Sequence, residues 1–133
     1  MTGPAPRLTV LTATRNRAHL LPRLAASLRD QDIAAGDVEW LVVDDGSTDG
    51  TSSCLEGQAA RAEPTTGPVP LRSLRLPPGG KHRALNAGFE AARGAWIMVV
   101  HSDDWLVPGA LQAALEVLDR DPPDDVFAVI FPL

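Results

Sequence analysis

Apolar residues arrive along the chain in two rhythms: short solid runs, and longer stretches with a single apolar face. The runs are Leu8-Thr9-Val10-Leu11-Thr12-Ala13, Val38-Glu39-Trp40-Leu41-Val42-Val43, Trp96-Ile97-Met98-Val99-Val100 and, near the end, Val126 to Phe131. Runs this short and this apolar predict strands buried on both faces of a parallel sheet. Leu71 to Leu76 alternates apolar and polar and predicts a further strand. Between the runs, Leu20, Leu21, Leu24, Ala25 and Leu28 share one helical face within residues 18–31, with Pro22 near the start, where proline is tolerated. Leu55, Ala59 and Ala62 mark a helix over roughly 49–62. From Lys81 to Arg93, Ala84, Leu85, Gly88, Ala91 and Ala92 make a small-residue face ended by Gly94. Pro108 opens another helix, with Leu111, Ala114, Leu115 and Leu118 turned inward, and the Pro/Gly-rich residues 63–70 read as a mobile loop. The order β-α-β-α-β-α-β-α-β predicts an α/β domain with a mainly parallel, doubly wound sheet. At 133 residues the chain holds one domain with a real core.

Composition narrows the class. A net charge of −5 argues against a nucleic-acid partner, because neutralising phosphates needs a basic surface. The lone Cys54 rules out an internal disulfide and fits a reducing compartment. No window of 18 apolar residues encodes a membrane span, and Met1 to Arg7 has no apolar signal core, so a cytoplasmic location is expected.

The charges gather where such a sheet would use them. Two of the apolar runs end in acids: Asp44-Asp45-Gly46-Ser47-Thr48-Asp49-Gly50-Thr51, and Ser102-Asp103-Asp104-Trp105. Open parallel sheets bind ligands beyond the carboxyl ends of their strands. Acids cannot be buried there without donors, water or a cation. The first loop also suits a helix-capping turn. Asp45, Ser47, Asp49, Gly50 and Glu56 match the spacing of a calcium loop, but a strand precedes Asp45 and Ser52 stands where an apolar residue belongs. A phosphatase-type Asp-x-Asp fails at Val43. Nucleotide recognition remains, with Asp44, which closes the strand, as the stronger candidate to accept hydrogen bonds from a base or ribose. In the second loop, Asp103 and Asp104 repel unless a cation sits near them, and oxygen ligands suit Mg²⁺ or Mn²⁺ carrying a diphosphate. A capped turn is again the plainer reading. His101 either adds a ligand or merely ends a strand.

Between the acidic loops, Gly79-Gly80-Lys81-His82-Arg83 enters a helix whose N-terminus favours anions, so Lys81 and Arg83 suit a diphosphate clamp or a solvated helix start. The Gly-x4-Gly-Lys-Ser/Thr spacing of a Walker loop is absent. Arg15, Asn16 and Arg17 follow the first strand on the same edge and suit contact with base or phosphate, or a helix cap.

Taken together, Leu8 to Arg17, Val42 to Thr51, Gly80 to Gly94 and Ser102 to Leu106 with Pro108 resemble the family 2 glycosyltransferases of the Rossmann-like GT-A fold, in the family's order and over nearly the whole chain. The resemblance implies a nucleotide-sugar donor, an acceptor hydroxyl and inversion at the anomeric carbon by direct displacement. It implies that Thr14 and Asp44 hold the nucleotide base, with Asp45 nearby. It further implies that Lys81 approaches the diphosphate, Asp103 the ribose or donor sugar, and Asp104 the metal. Two departures stand out. Many members carry an acid where this chain has His101. The family's acceptor-binding half, with the carboxylate that deprotonates the attacking hydroxyl, is expected beyond Leu133. Asp119, Asp121, Asp124 and Asp125 are expected to lie past a helix, away from the site. A truncated relative that binds a nucleotide without turnover is the alternative, with Val126 to Phe131 as an edge for self-association. A sugar-phosphate nucleotidyltransferase wants a Gly-rich loop after the first strand, and Thr14 to Arg17 has no glycine.

Overall fold

The computed structural model describes residues 5–59 and 69–120. In chain order they form β1 (Leu8–Thr14), α1 (Leu21–Arg29), β2 (Val38–Asp45), α2 (Thr51–Ala59), β3 (Leu71–Leu76), α3 (Lys81–Ala91), β4 (Trp96–Val99) and α4 (Ala110–Asp119). All strand pairs are parallel, in the order β3-β2-β1-β4. The strand expected over Val126 to Phe131 lies outside the described residues, as do most of the 63–70 loop and the end of the 49–62 helix. Among the described residues no helix is long and apolar enough to cross a membrane.

The strands' period of two sends alternate side chains to opposite faces. Leu8 and Val10 of β1, with Val38, Trp40 and Val42 of β2, pack against α1, α2 and α4 through Leu21, Leu24, Leu28, Leu55, Leu111 and Ala114. Leu11, Leu41 and Val43 turn the other way, onto Ala84 of α3. Helices therefore cover both faces, as the doubly wound order predicts. The buried Trp40 indole N–H is satisfied by the Thr12 hydroxyl at 3.0 Å.

Two helix starts differ from expectation. Helix α1 begins at Leu21 rather than residue 18, leaving Pro22 within its first turn. A start at 18 would set the missing proline N–H against the carbonyl of Ala18. Residues 18–20 form a turn instead, with the Leu20 amide donating to the Arg17 carbonyl at 2.9 Å. Helix α4 starts at Ala110, after Gly109 at φ 83°, so Pro108 precedes the helix instead of opening it.

At the amino ends of the strands an acid lies inside an apolar run. Glu39 is 5% exposed. Its carboxylate accepts from the Thr9 hydroxyl (2.6 Å), the Arg93 amide (2.7 Å) and the Arg72 guanidinium (3.1 and 3.2 Å). Arg72 also donates to the Ala91 carbonyl at 2.6 Å, and the Gly94 amide to Thr9 at 2.9 Å. Three strands and the end of α3 are thereby joined. Burial raises the Glu39 pKa, but the Thr9 and Arg93 hydrogen bonds and the Arg72 charge outweigh it and hold the carboxyl below its ordinary value.

Candidate functional site

The sheet leaves a gap at its carboxyl edge. Strand β1 pairs with β2 up to Thr14↔Asp44, but with β4 only up to Leu11↔Val99. Among the described residues the last residues of β1 therefore lack a strand neighbour on the β4 side, where the order of strand succession also reverses; this is the switch point at which open α/β sheets bind ligands. A cleft of about 430 Å³ opens there, within the range of small-molecule sites. Its walls are Thr14, Arg15 and Arg17 after β1, Asp45 at the end of β2, Lys81 at the start of α3, and His101 to Asp104 after β4.

Thr14 carries the sharpest signal in the cleft. The residue is 4% exposed, and among the described residues its hydroxyl is the one buried side-chain polar atom without a hydrogen-bond partner. Buried polar groups are almost always paired, and an orphan calls for an explanation such as a ligand. Opposite it, Asp45 accepts from the Gly79 amide at 2.9 Å and the Gly80 amide at 3.0 Å. Gly80, at φ 99°, is the N-cap of α3 and supplies no side chain, and Asp45 anchors the glycine turn that enters the helix. The turn presents Lys81 to the cleft. Arg83 turns away: a Cβ on Gly79 would lie 2.4 Å from its guanidinium, so it folds back over that glycine and does not line the cleft.

The structure places Asp44 and Asp45 in different surroundings. Strand alternation points Asp44 to the α2 side, where it is 2% exposed and does not line the cleft. Its carboxylate accepts from the Ser47 amide (3.0 Å) and from the hydroxyls of Ser47 and Ser52 (2.5 Å each). Arg75 donates to the Ser52 hydroxyl and to the Ser47 carbonyl, bringing a positive charge to the cluster. Asp44 thus builds the loop, while Asp45 faces the space. Asp44→Ala is expected to lower stability by about 1–3 kcal/mol, because the Ser47 amide loses its acceptor; thermal unfolding measures this, and an unchanged Tm would refute it.

Asn16 also serves the loop. At φ 55° it occupies the left-handed region that asparagine tolerates. Its carboxamide oxygen accepts from the amides of Thr48 (2.7 Å) and Asp49 (3.2 Å), and its own amide donates to the Ser47 hydroxyl (2.9 Å). It pins the turn after β1 to the first acidic loop without lining the cleft. Asp49 accepts from the Thr51 hydroxyl and amide at the start of α2; these bonds hold its carboxyl below the ordinary value despite some desolvation. Asp45, Ser47 and Asp49 have separate partners and do not converge as calcium ligands.

Asp103, Asp104 and His101 lie together on the far wall, all exposed. Among the described residues no three His, Cys, Asp or Glu side chains are grouped closely enough to hold a metal by themselves. Two hard carboxylates still suit Mg²⁺ or Mn²⁺, which complete their shells with water and substrate phosphates. Asp119 is remote: it forms an ion pair with Arg7, which also donates to the Leu115 carbonyl at 3.3 Å. Asp121, Asp124 and Asp125 fall outside the described residues. Sequence reasoning missed that Ser47 and Ser52 both bond Asp44 and that Arg75 bonds those two serines in turn; polar residue types alone gave no sign of these partners.

The chain is similar to several known proteins. The chain is 36% identical over 114 residues to the succinoglycan biosynthesis protein ExoO of Rhizobium meliloti (strain 1021), covering 86% of this chain and 30% of that protein. The crystal structure of S. aureus TarS 1-349 in complex with UDP-GlcNAc matches with a TM-score of 0.72 and 27% identity, over 86% of this chain and 31% of that one. The mannosyltransferase PcManGT from Pyrobaculum calidifontis, in complex with GDP-Man and Mn²⁺, matches with a TM-score of 0.71 and 30% identity, over 86% and 33% of the two chains. The chain therefore spans about a third of the length of these relatives. The fold is GT-A, as in these neighbours. The sequence model described as "Glycosyl transferase family 2" matches residues 9–132, from the first strand through both acidic loops, and the chain belongs to that family.

Proposed function

We propose that this chain is the nucleotide-sugar-binding part of a metal-assisted, inverting glycosyltransferase. The observation that carries the reading is the orphaned Thr14 hydroxyl, buried in a cleft that Asp45, Lys81, Asp103 and Asp104 also line. In this reading Thr14 and Asp45 meet the base and ribose, with Arg15 beside them. Asn16 and Asp44 support them from behind. Lys81 meets the diphosphate, Asp103 the ribose or donor sugar, and Asp104 holds the metal with Asp103 close by. A divalent ion bound there would neutralise charge on the departing diphosphate. Lys81 acts on the same charge directly, and such electrostatic stabilisation is commonly the largest contribution to group transfer. In the transfer, the acceptor oxygen bonds to the anomeric carbon as the bond to the diphosphate oxygen breaks and its electron pair leaves with the nucleotide. Deprotonating that hydroxyl needs a base within hydrogen-bond reach, and no described residue is given that role.

The family and its neighbours support the donor class. TarS was solved with UDP-GlcNAc and PcManGT with GDP-Man, so both uridine and guanosine donors occur among the similar structures. Calorimetric titration with UDP-GlcNAc, GDP-Man, UDP and GDP, each with and without Mn²⁺, tests the reading. Binding of at least one, strengthened by Mn²⁺, is the expected result. Failure of all four to bind in either condition would overturn it.

A further inference from the structure

Three polar residues four apart, Arg23 and Ser27 on α1 and Gln31 just past its end, reach across the molecule to one segment, the stretch from Asp103 to Leu111. Arg23 donates to the Asp103 carbonyl at 2.8 Å, and its guanidinium lies 4.0 Å from the centre of the Trp105 ring. The Ser27 hydroxyl accepts from the Leu106 amide at 3.0 Å and donates to the Leu24 carbonyl at 2.7 Å. Gln31, 4% exposed, accepts from the Leu111 amide at 3.0 Å and donates to the Val107 carbonyl at 3.0 Å. The N-cap of α4 is Gly109, without a capping side chain, so Gln31 caps that helix from 80 residues away. Residues 103–109 have no strand or helix of their own, and Trp105 and Val107 are 54% and 64% exposed. Leu106 alone of the three packs against the core. Hydrogen bonds from α1, more than burial, therefore hold this segment.

We propose that Arg23, Ser27 and Gln31 are positioning residues that set the carboxylates of Asp103 and Asp104 at the cleft wall. The proposal rests on reading the cleft as a nucleotide-sugar site. Binding groups need placement within about 0.5 Å, and a loop with few buried contacts opens at low free energy unless something else holds it. Arg23 and Ser27 on α1, with Gln31 just beyond its end, supply that hold at three points along the segment.

The test is amide hydrogen exchange and UDP and GDP titration on Ser27→Ala and, should that variant fold poorly, on Arg23→Ala, an exposed change that removes the hydrogen bond to the Asp103 carbonyl and the contact with Trp105. Exchange at residues 104–107 is expected to accelerate about tenfold, one hydrogen bond's worth, while amides of β1 and β2 keep their rates. The nucleotide affinity measured with Mn²⁺ is expected to fall about tenfold with little change in its absence. In an Asp104→Ala background, Ser27→Ala should cause no further loss, the mark of action through that residue. Acceleration shared equally with β1 and β2, or none at all, would overturn the proposal. So would a loosened segment with undiminished Mn²⁺-dependent affinity. If the unaltered protein binds no nucleotide, the reading of the cleft fails, and the exchange data still decide whether α1 holds the segment.

Discussion

Asp104→Ala is expected to erase the Mn²⁺-dependent part of nucleotide affinity while leaving the metal-free part and the Tm in place. The side chain is exposed at the cleft wall, and the local backbone is held separately by the Asp104 amide on the His101 carbonyl at 3.0 Å. Among the described residues no hydrogen bond or ion pair uses the carboxylate. A metal at this wall would depend on it, because the described residues offer no group of three ligands and each carboxylate would be a large share of the shell. The expected loss is roughly tenfold to a hundredfold with Mn²⁺ present, the range found when groups supporting a metal site are removed. Thr14, Asp45 and Lys81 remain, so affinity measured in a chelator should stay within about twofold. Titration of UDP and GDP into both proteins, with Mn²⁺ and with EDTA, separates the two components. If Asp104→Ala binds as the unaltered protein does in Mn²⁺, the metal belongs elsewhere or is not used. Because Asp103 is the neighbouring acid, its substitution is expected to weaken the Mn²⁺-dependent component for UDP and GDP, and the metal-free component only for ligands that carry their sugar, such as UDP-GlcNAc and GDP-Man.

The elements were largely legible because burial writes itself into residue type. Runs such as Trp40 to Val43 have no polar face, so they had to lie inside a sheet covered on both sides, and they do. The acidic loops were placed on one rim by the rule that ligands gather at carboxyl ends of strands. Finer assignments needed the faces. Asp44 was favoured because it closes the strand, yet alternation along β2 gives it the same face as Trp40 and Val42, toward α2. That signal was present in the sequence and could have separated Asp44 from Asp45. The support given by Ser27 and Gln31 could not have been seen, since their partners lie 76 to 80 residues away and are mostly backbone groups, which carry no sequence signature. Asn16 fell between: asparagine after a strand suggests a turn, but the loop it serves is fixed only by the β1–β2 pairing.

Glu39→Ala is expected to destabilise the protein by about 3 kcal/mol or somewhat more. The loss has two parts. The Arg72 guanidinium, only part-buried, keeps some access to water, which places the effect toward the low end. The Thr9 hydroxyl, fully buried, and the Arg93 amide lose their acceptor and have no other among the described residues. Urea unfolding measures this, and a loss below about 1 kcal/mol would show that water replaces the carboxylate without penalty. The acid limb of stability gives a second reading. Glu39 titrates below its ordinary value of 4.5 when folded, so between those two values the unfolded chain binds more protons. The stabilisation is therefore complete above the unfolded pKa and drains away as pH falls through the lowered folded one. Glu39→Gln keeps an acceptor and loses the charge. Its stability should change less with pH in that acid window than the unaltered protein's, while remaining lower near neutrality. Since Glu39 sits at the amino end of β2 and the cleft at the carboxyl end, the fraction that stays folded should bind nucleotide unchanged. A variant that instead lost affinity while fully folded would mean that strain passes along β2 from Glu39 to Asp45.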